Sequence, residues 1–182
     1  MAFSSGKYYP ETAAGNVFIG STAAAGVSPP ISTGTAVTFG LWNTSTTKNA
    51  VLLSLGIGFT SGTIAVGEFG IANQYCGYAL GTAAPLSVFT EGTPKNALTG
   101  EGKGSSMKFT PSAGTLTAGG TALLWLGKSI LVATTVGGVQ ETNHDFDGQV
   151  IVTPGQLVFV CGSVAQTGKY TMSLVWAEVE RS

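Results

Sequence analysis

The chain's single histidine, His144, is followed directly by Asp145. Serine hydrolysis needs a nucleophile, a base and an acid that orients the base, all converging on one point. Direct neighbours on an extended segment face opposite ways, so Asp145 cannot orient His144 there. No Gly-x-Ser-x-Gly elbow supplies a nucleophile, and His144 reads as an exposed loop histidine. Gly127-Lys128-Ser129 has the tail of a phosphate-binding loop, but its leading glycine would fall at Ala122. Those glycines let backbone amides wrap phosphate. The preceding Leu123-Leu-Trp-Leu126 reads as a strand running into a turn with no helix after it, so the motif is rejected.

Asp145 and Asp147 stand at i and i+2, close to Glu141. On an extended segment two such carboxylates point the same way and could share a cation. Calcium usually needs 6–8 oxygens and a closing glutamate, and neither is signalled here. Solvated turn residues are the competing reading. Paired carboxylates for glycoside cleavage are compatible with the spacing, but nothing else supports that chemistry. Trp42, Trp125 and Trp176 could line a sugar site, yet each lies inside an apolar strand. With Phe159 and Leu174 they are expected to serve as core or oligomer contacts. The sequence predicts no catalytic residue, no enzyme activity and no cofactor.

Composition points the same way. Only 9% of the 182 residues are charged, and none is charged between Glu11 and Lys48. A chain with so little charge tends to hide surface in an assembly, because free monomers usually rely on net charge for solubility. A secreted domain with a neutral surface is the alternative. The eight basic residues are scattered, so no nucleic-acid footprint or polybasic membrane patch forms. The longest apolar stretch, residues 51–59, is too short to span a bilayer. The start, Met1 to Lys7, lacks the apolar core of a secretory signal. A sequon at Asn43-Thr44-Ser45 then reads as coincidence. Cys76 and Cys161 read as two buried thiols, or as one disulfide if their strands lie side by side.

The elements that would carry these residues are strands. No long run shows helical periodicity with caps, whereas short β-branched and aromatic runs separated by Gly, Pro and Asn are many. Strands are expected at 35–42, 48–60, 63–80, 107–109, 121–126, 130–136, 146–152, 156–164 and 170–179. On the strand at 48–60, Val51, Leu53, Leu55 and Ile57 would share one face. This strand and 170–179 alternate imperfectly, as if both their faces were covered. Residues 81–106 form a long loop-rich excursion. Residues 1–34, rich in Gly, Ala, Ser and Pro, read as an N-terminal arm with a small strand at Val17-Phe-Ile19. Residues 35–182 then form one all-β, jelly-roll-like antiparallel β-sandwich domain.

Val152-Thr-Pro-Gly-Gln-Leu-Val-Phe-Val-Cys161 is a turn delivering a strand, and Gly168-Lys-Tyr-Thr-Met-Ser-Leu-Val-Trp-Ala-Glu178 follows after a short link. This ending, closed by Leu-x-Trp-x-Glu, resembles the last hairpin of jelly-roll decoration (cement) proteins on tailed-phage heads. Leu41-Trp-Asn-Thr-Ser-Thr-Thr-Lys-Asn-Ala-Val-Leu-Leu53 and the Ser61-Gly62-Thr63 turn are similar to the strand entry of phage virion proteins. The resemblance implies a virion location on the capsid surface and a homotrimer that clamps neighbouring major capsid subunits. With the scattered basic residues and the short apolar runs, no nucleic acid, membrane or small-molecule partner is expected. The rival from another class is a receptor- or carbohydrate-binding jelly-roll module of a phage fibre, and a hydrolase stands third. A sugar binder should expose an aromatic pair on a concave face or a loop end. A cement protein should hide its tryptophans and present a broad, flat, polar base.

Overall fold

The computed structural model describes residues 6–81, 84–100, 102–130 and 141–181. The described residues form one short helix, α1 (Tyr9–Ala13), and fourteen strands. These are β1 (Val17–Ser21), β2 (Ala36–Val37), β3 (Gly40–Trp42), β4 (Lys48–Ser61), β5 (Gly67–Tyr75), β6 (Leu86–Phe89) and β7 (Lys95–Asn96). There follow β8 (Lys108–Thr110), β9 (Gly114–Leu116), β10 (Thr121–Ile130), β11 (Glu141–Asp145), β12 (Ile151–Val152), β13 (Gln156–Gly162) and β14 (Lys169–Glu180). The strand expected at 130–136 lies outside the described residues beyond Ile130.

Eight of these strands wind as one long antiparallel hairpin folded double. β1 pairs β14, β3 pairs β13, β4 pairs β11 and β5 pairs β10. Laid side by side they give two sheets, β11-β4-β14-β1 (sheet A) and β10-β5-β13-β3 (sheet B). This is the strand order of a jelly-roll sandwich, and the expected all-β sandwich is borne out. The connection at 76–120, which contains the excursion expected at 81–106, is not a free loop. Its β7 pairs β1 and its β8 pairs β3, so it covers one edge of each sheet. Exposed edges carry unpaired N–H and C=O groups that recruit other chains, and this pairing removes two of them.

The main core lies between the sheets, with Trp176 fully buried at its centre. The indole lies 6.1 Å from the rings of both Phe18 and Phe109, close to parallel with each. Leu52, Leu55, Ile71, Val158 and Leu174 fill the space around them. A third sheet, β2-β9-β6, covers the outer face of sheet B. Beneath it Val37, Trp42, Leu86, Phe89, Leu157, Phe159 and Cys161 form a second buried cluster. That is why β13 is buried along almost its whole length instead of alternating.

The structure refines several of the sequence expectations. Trp42, Phe159, Leu174 and Trp176 are buried, but Trp125 is 37% exposed and lies outside both clusters, over Gly70. On β4, Leu55 and Ile57 face the core, while Val51 and Leu53 face outward. The cause is a bulge: Val175 pairs Ser54 and Trp176 pairs Leu52, leaving Leu53 as the extra residue. The bulge, not two covered faces, breaks the alternation of β4. The span 35–42 is two strands in different sheets, and β11 begins within the segment read as a loop.

β1 is an interior strand between β14 and β7, and Phe18 is fully buried. Residues 27–32 run along the β13–β14 connection through backbone bonds from Val27 to Tyr170 and from Ser32 to Gly162. The small residues here are sites of close approach. A Cβ on Gly20 would sit 2.7 Å from the Phe109 ring. Gly26, at φ +66°, would place one 2.7 Å from the Tyr170 backbone.

Phe18→Ala or Trp176→Ala should each cost about 3–5 kcal/mol in urea unfolding. Trp125→Ala should cost about 1 kcal/mol or less. Equal costs at Trp125 and Trp176 would contradict this assignment of the core.

Candidate functional site

Among the described residues one large face is left mostly uncovered: the outer side of sheet A. The strand register lays its side chains in rows. Ser21, Ser173, Gly56 and Asn143 form one row across β1, β14, β4 and β11. Ile19, Val175, Ser54 and Asp145 form the next. Val17, Ala177, Val51 and Ile151 form a third, with β12 supplying the last. In these rows charge is confined to the rims, at Asp145 on β11 and at Lys95, which pairs Ile19 from β7. Gly56 keeps the first of these rows low, because a Cβ there would come 2.9 Å from the Ser173 hydroxyl. Two shallow grooves cross the face. One of about 340 Å³ is floored by Ser21, Gly56, Gly58, Thr171 and Ser173. One of about 360 Å³ runs between Tyr8, Val17, Leu53, Val175 and Asp145.

The apolar end of the face carries its own partial cover. Val17, Leu53 and Ala177 are buried there under Tyr8, Ala97, Val51 and Val175. Lys7 forms an ion pair with Asp147, and the Tyr8 hydroxyl donates to the same carboxylate at 3.1 Å. These bonds hold the Asp147 carboxyl below its ordinary range, the Lys7 hydrogen bond being the largest cause. The same hydrogen bond raises Lys7 above its own. Further along, Asn96 Nδ2 donates to the Gly15 carbonyl at 2.8 Å, tying the segment to β7.

This arrangement separates Asp145 and Asp147, the pair whose spacing could have let them share a cation. Their i, i+2 spacing would align them only on an extended segment, but β11 ends at Asp145 and Asp147 sits in a turn at φ 51°. Asp145 Oδ1 accepts the Asp147 backbone N–H at 2.8 Å, while Asp147 faces Lys7 and Tyr8. Among the described residues no group of three His, Cys, Asp or Glu could hold a metal. His144 is on β11 opposite Leu55, half-buried with its ring 4.8 Å from Phe146, and so is not in a loop. Residues 127–130 continue β10.

Two polar clusters that sequence reasoning did not single out hold the frame together. Glu178 is almost completely buried on β14. Its carboxylate accepts the hydroxyls of Ser105 and Ser106 and the Ser106 N–H, at 3.1 Å to each oxygen, with Lys48 Nζ at 3.9 Å. This pins the excursion to the sandwich. Asn43, also fully buried, donates from Nδ2 to the carbonyls of Lys48 at 2.9 Å and Val152 at 2.8 Å. Its Oδ1 accepts the Ser45 N–H at 3.0 Å. Asn43 thereby bonds the turn at 43–48 to the Thr153-Pro-Gly155 turn, and its buried amide closes the sequon to glycosylation in the folded state. Cys76 and Cys161 are free and buried, and burial pushes each thiol up to about 12. Comparison with family models, curated proteins and solved structures finds no match.

Glu178→Ala removes the buried carboxylate that gathers the Ser105 and Ser106 donors and should cost about 1–3 kcal/mol in urea unfolding. A loss near zero would show that the loop is held elsewhere. The Asp147 contribution is present above the ordinary carboxylate range and fades as pH falls through its lowered folded value. The Lys7 contribution is present below the ordinary lysine range and fades as pH rises through its raised one. Amide protection of residues 8–16 should therefore be lower at about pH 2 than at neutral pH. Asp147→Asn should remove that difference. If the variant keeps the full pH dependence, the pair does not hold the segment.

Proposed function

We propose that this chain is a capsid decoration, or cement, subunit of a tailed phage, acting as a homotrimer that binds and stabilises the major capsid shell. The observation that carries the reading is the outer face of sheet A, a broad sheet surface of Ser, Gly, Thr, Asn and aliphatic side chains with charge only at its rims. A face of this kind is weakly hydrated for its area, so covering it costs little desolvation of charge and gains contact along a flat base. Trp42 and Trp176 are hidden, as a cement role requires of them. The jelly roll, and the strand endings that resemble decoration proteins, agree with the same role. Leu123 and Trp125, exposed on β10, are the side we assign to contact between copies.

Light scattering at micromolar concentration should give a trimer, and Trp125→Asp should shift it toward monomer. Phage heads assembled without this chain should bind the purified protein. Ile19→Asp combined with Ser173→Asp places two charges on the bare face and should abolish that binding while the fold is retained. Undiminished binding by the double variant would rule out this face as the attachment surface. A monomer that stays soluble at high concentration would rule out the trimer.

A further inference from the structure

The large rings of this chain are mostly inside, but Tyr75 and Tyr78 are 55% and 49% exposed where β5 runs into its following loop. The surroundings of Tyr75 are built. Its ring lies against the turn at Gly155, where a Cβ would come 2.6 Å from the Tyr75 ring. Gly155 holds φ +79°, so any other residue there would be strained as well as obstructive. The Gly155 carbonyl accepts the Cys76 N–H at 2.8 Å, and the Gly77 carbonyl accepts the Trp42 indole N–H at 2.9 Å. The backbone between the two tyrosines is thus tied to a buried tryptophan on one side and to a turn on the other. A ring seated as Tyr75 is, on a backbone held in this way, loses little freedom when a ligand lands on it.

The polar groups beside the ring are amides. Asn73 precedes Tyr75 by two residues, and Gln156 pairs Tyr75 directly across the sheet, so all three share one face. Asn73 Nδ2 reaches Gln156 Oε1 at 3.5 Å, which leaves Asn73 Oδ1 as an acceptor and Gln156 Nε2 as a donor at the ring's edge. No charged residue occurs in 69–90 or in 148–168, the two stretches that form this corner.

We propose that Tyr75 and Tyr78, with Asn73 and Gln156, form a binding platform for a neutral saccharide. A pyranose ring offers a flat C–H face to stack on an aromatic ring, and hydroxyls at its rim that need paired donors and acceptors. The absence of charge selects against acidic sugars and phosphates, whose desolvation would go uncompensated. An open platform holds its ligand weakly, in the millimolar range. The inference does not rest on the attachment reading, because the platform stands at one end of the sandwich and shares no residue with the bare face of sheet A.

The test is a titration of the isotope-labelled full chain, followed by amide chemical shifts, with maltotriose, cellotriose and chitotriose in turn. At least one should give saturable shifts confined to 73–78 and 153–156. Tyr75→Ala and Tyr78→Ala should each weaken that binding about tenfold, and Tyr75→Phe, which keeps the ring, should not. Tyr9→Ala removes a tyrosine that is 60% exposed elsewhere and should leave binding unchanged. Three outcomes would overturn the platform: no saturable shift with any of the three sugars, shifts that survive Tyr75→Ala in a folded variant, or protection of these rings by phage heads with no response to sugar. Loss of head binding with sugar binding intact would count against the attachment face alone.

Discussion

The pairing of β4 with β14 is the constraint on which the rest depends. It runs from Lys48 opposite Glu180 to Ser61 opposite Lys169, and it holds the centre of sheet A. A one-residue shift of register would turn every side chain to the other face. The Leu53 bulge performs that shift once, at a fixed place. Below it Leu52 and Ala50 face inward, and above it Leu55 and Ile57 do so. On the partner strand Trp176 enters the core between Phe18 and Phe109, and two residues later Glu178 meets the serines of the excursion. One strand pair therefore sets the core, the anchor of the long insertion and the pattern of the outer face.

From that frame the surface follows. Sheet B is covered on its outer side by the third sheet, and the β1 and β3 edges are closed by β7 and β8. The chain covers most of its apolar area with its own segments. Among the described residues, what remains is the outer face of sheet A, open where the register brings together Gly56, Gly58, Ser173 and Thr171, and covered at its other end, where Val17 and Ala177 lie buried against Tyr8 and Ala97. A chain with only 9% charged residues has little charge to spend on this face, and places it at the rims.

Much of the fold was legible because strands announce themselves by composition and length. β4, β13 and β14 were placed within a few residues, since each is an apolar run bounded by turn residues. Burial of Trp42, Phe159, Leu174 and Trp176 was legible for the same reason. The bulge was not, because Val51-Leu-Leu-Ser-Leu55 fits either phase of a two-residue period and only the partner strand chooses. The interior place of β1 was hidden by Gly20 and Gly26, whose smallness signals close packing as readily as disorder. The third sheet was hidden because strands of two to four residues carry almost no periodicity. Of the polar clusters, the Lys7–Asp147 pair spans 140 positions, which no local pattern can reveal. Tyr75 read as one more strand residue, since its exposure depends on where β5 ends.

The central claim is that the uncharged outer face of sheet A is the surface that meets a partner. Hydroxyl-radical footprinting of the chain, free and bound to phage heads, tests it most directly, because it reads side-chain cover residue by residue on the unaltered protein. The account predicts protection of Ile19, Val175 and Ile151 on binding, with Tyr75 and Tyr78 as reactive as in the free chain. Unchanged reactivity at Ile19, Val175 and Ile151, with protection confined to other surfaces, would contradict it.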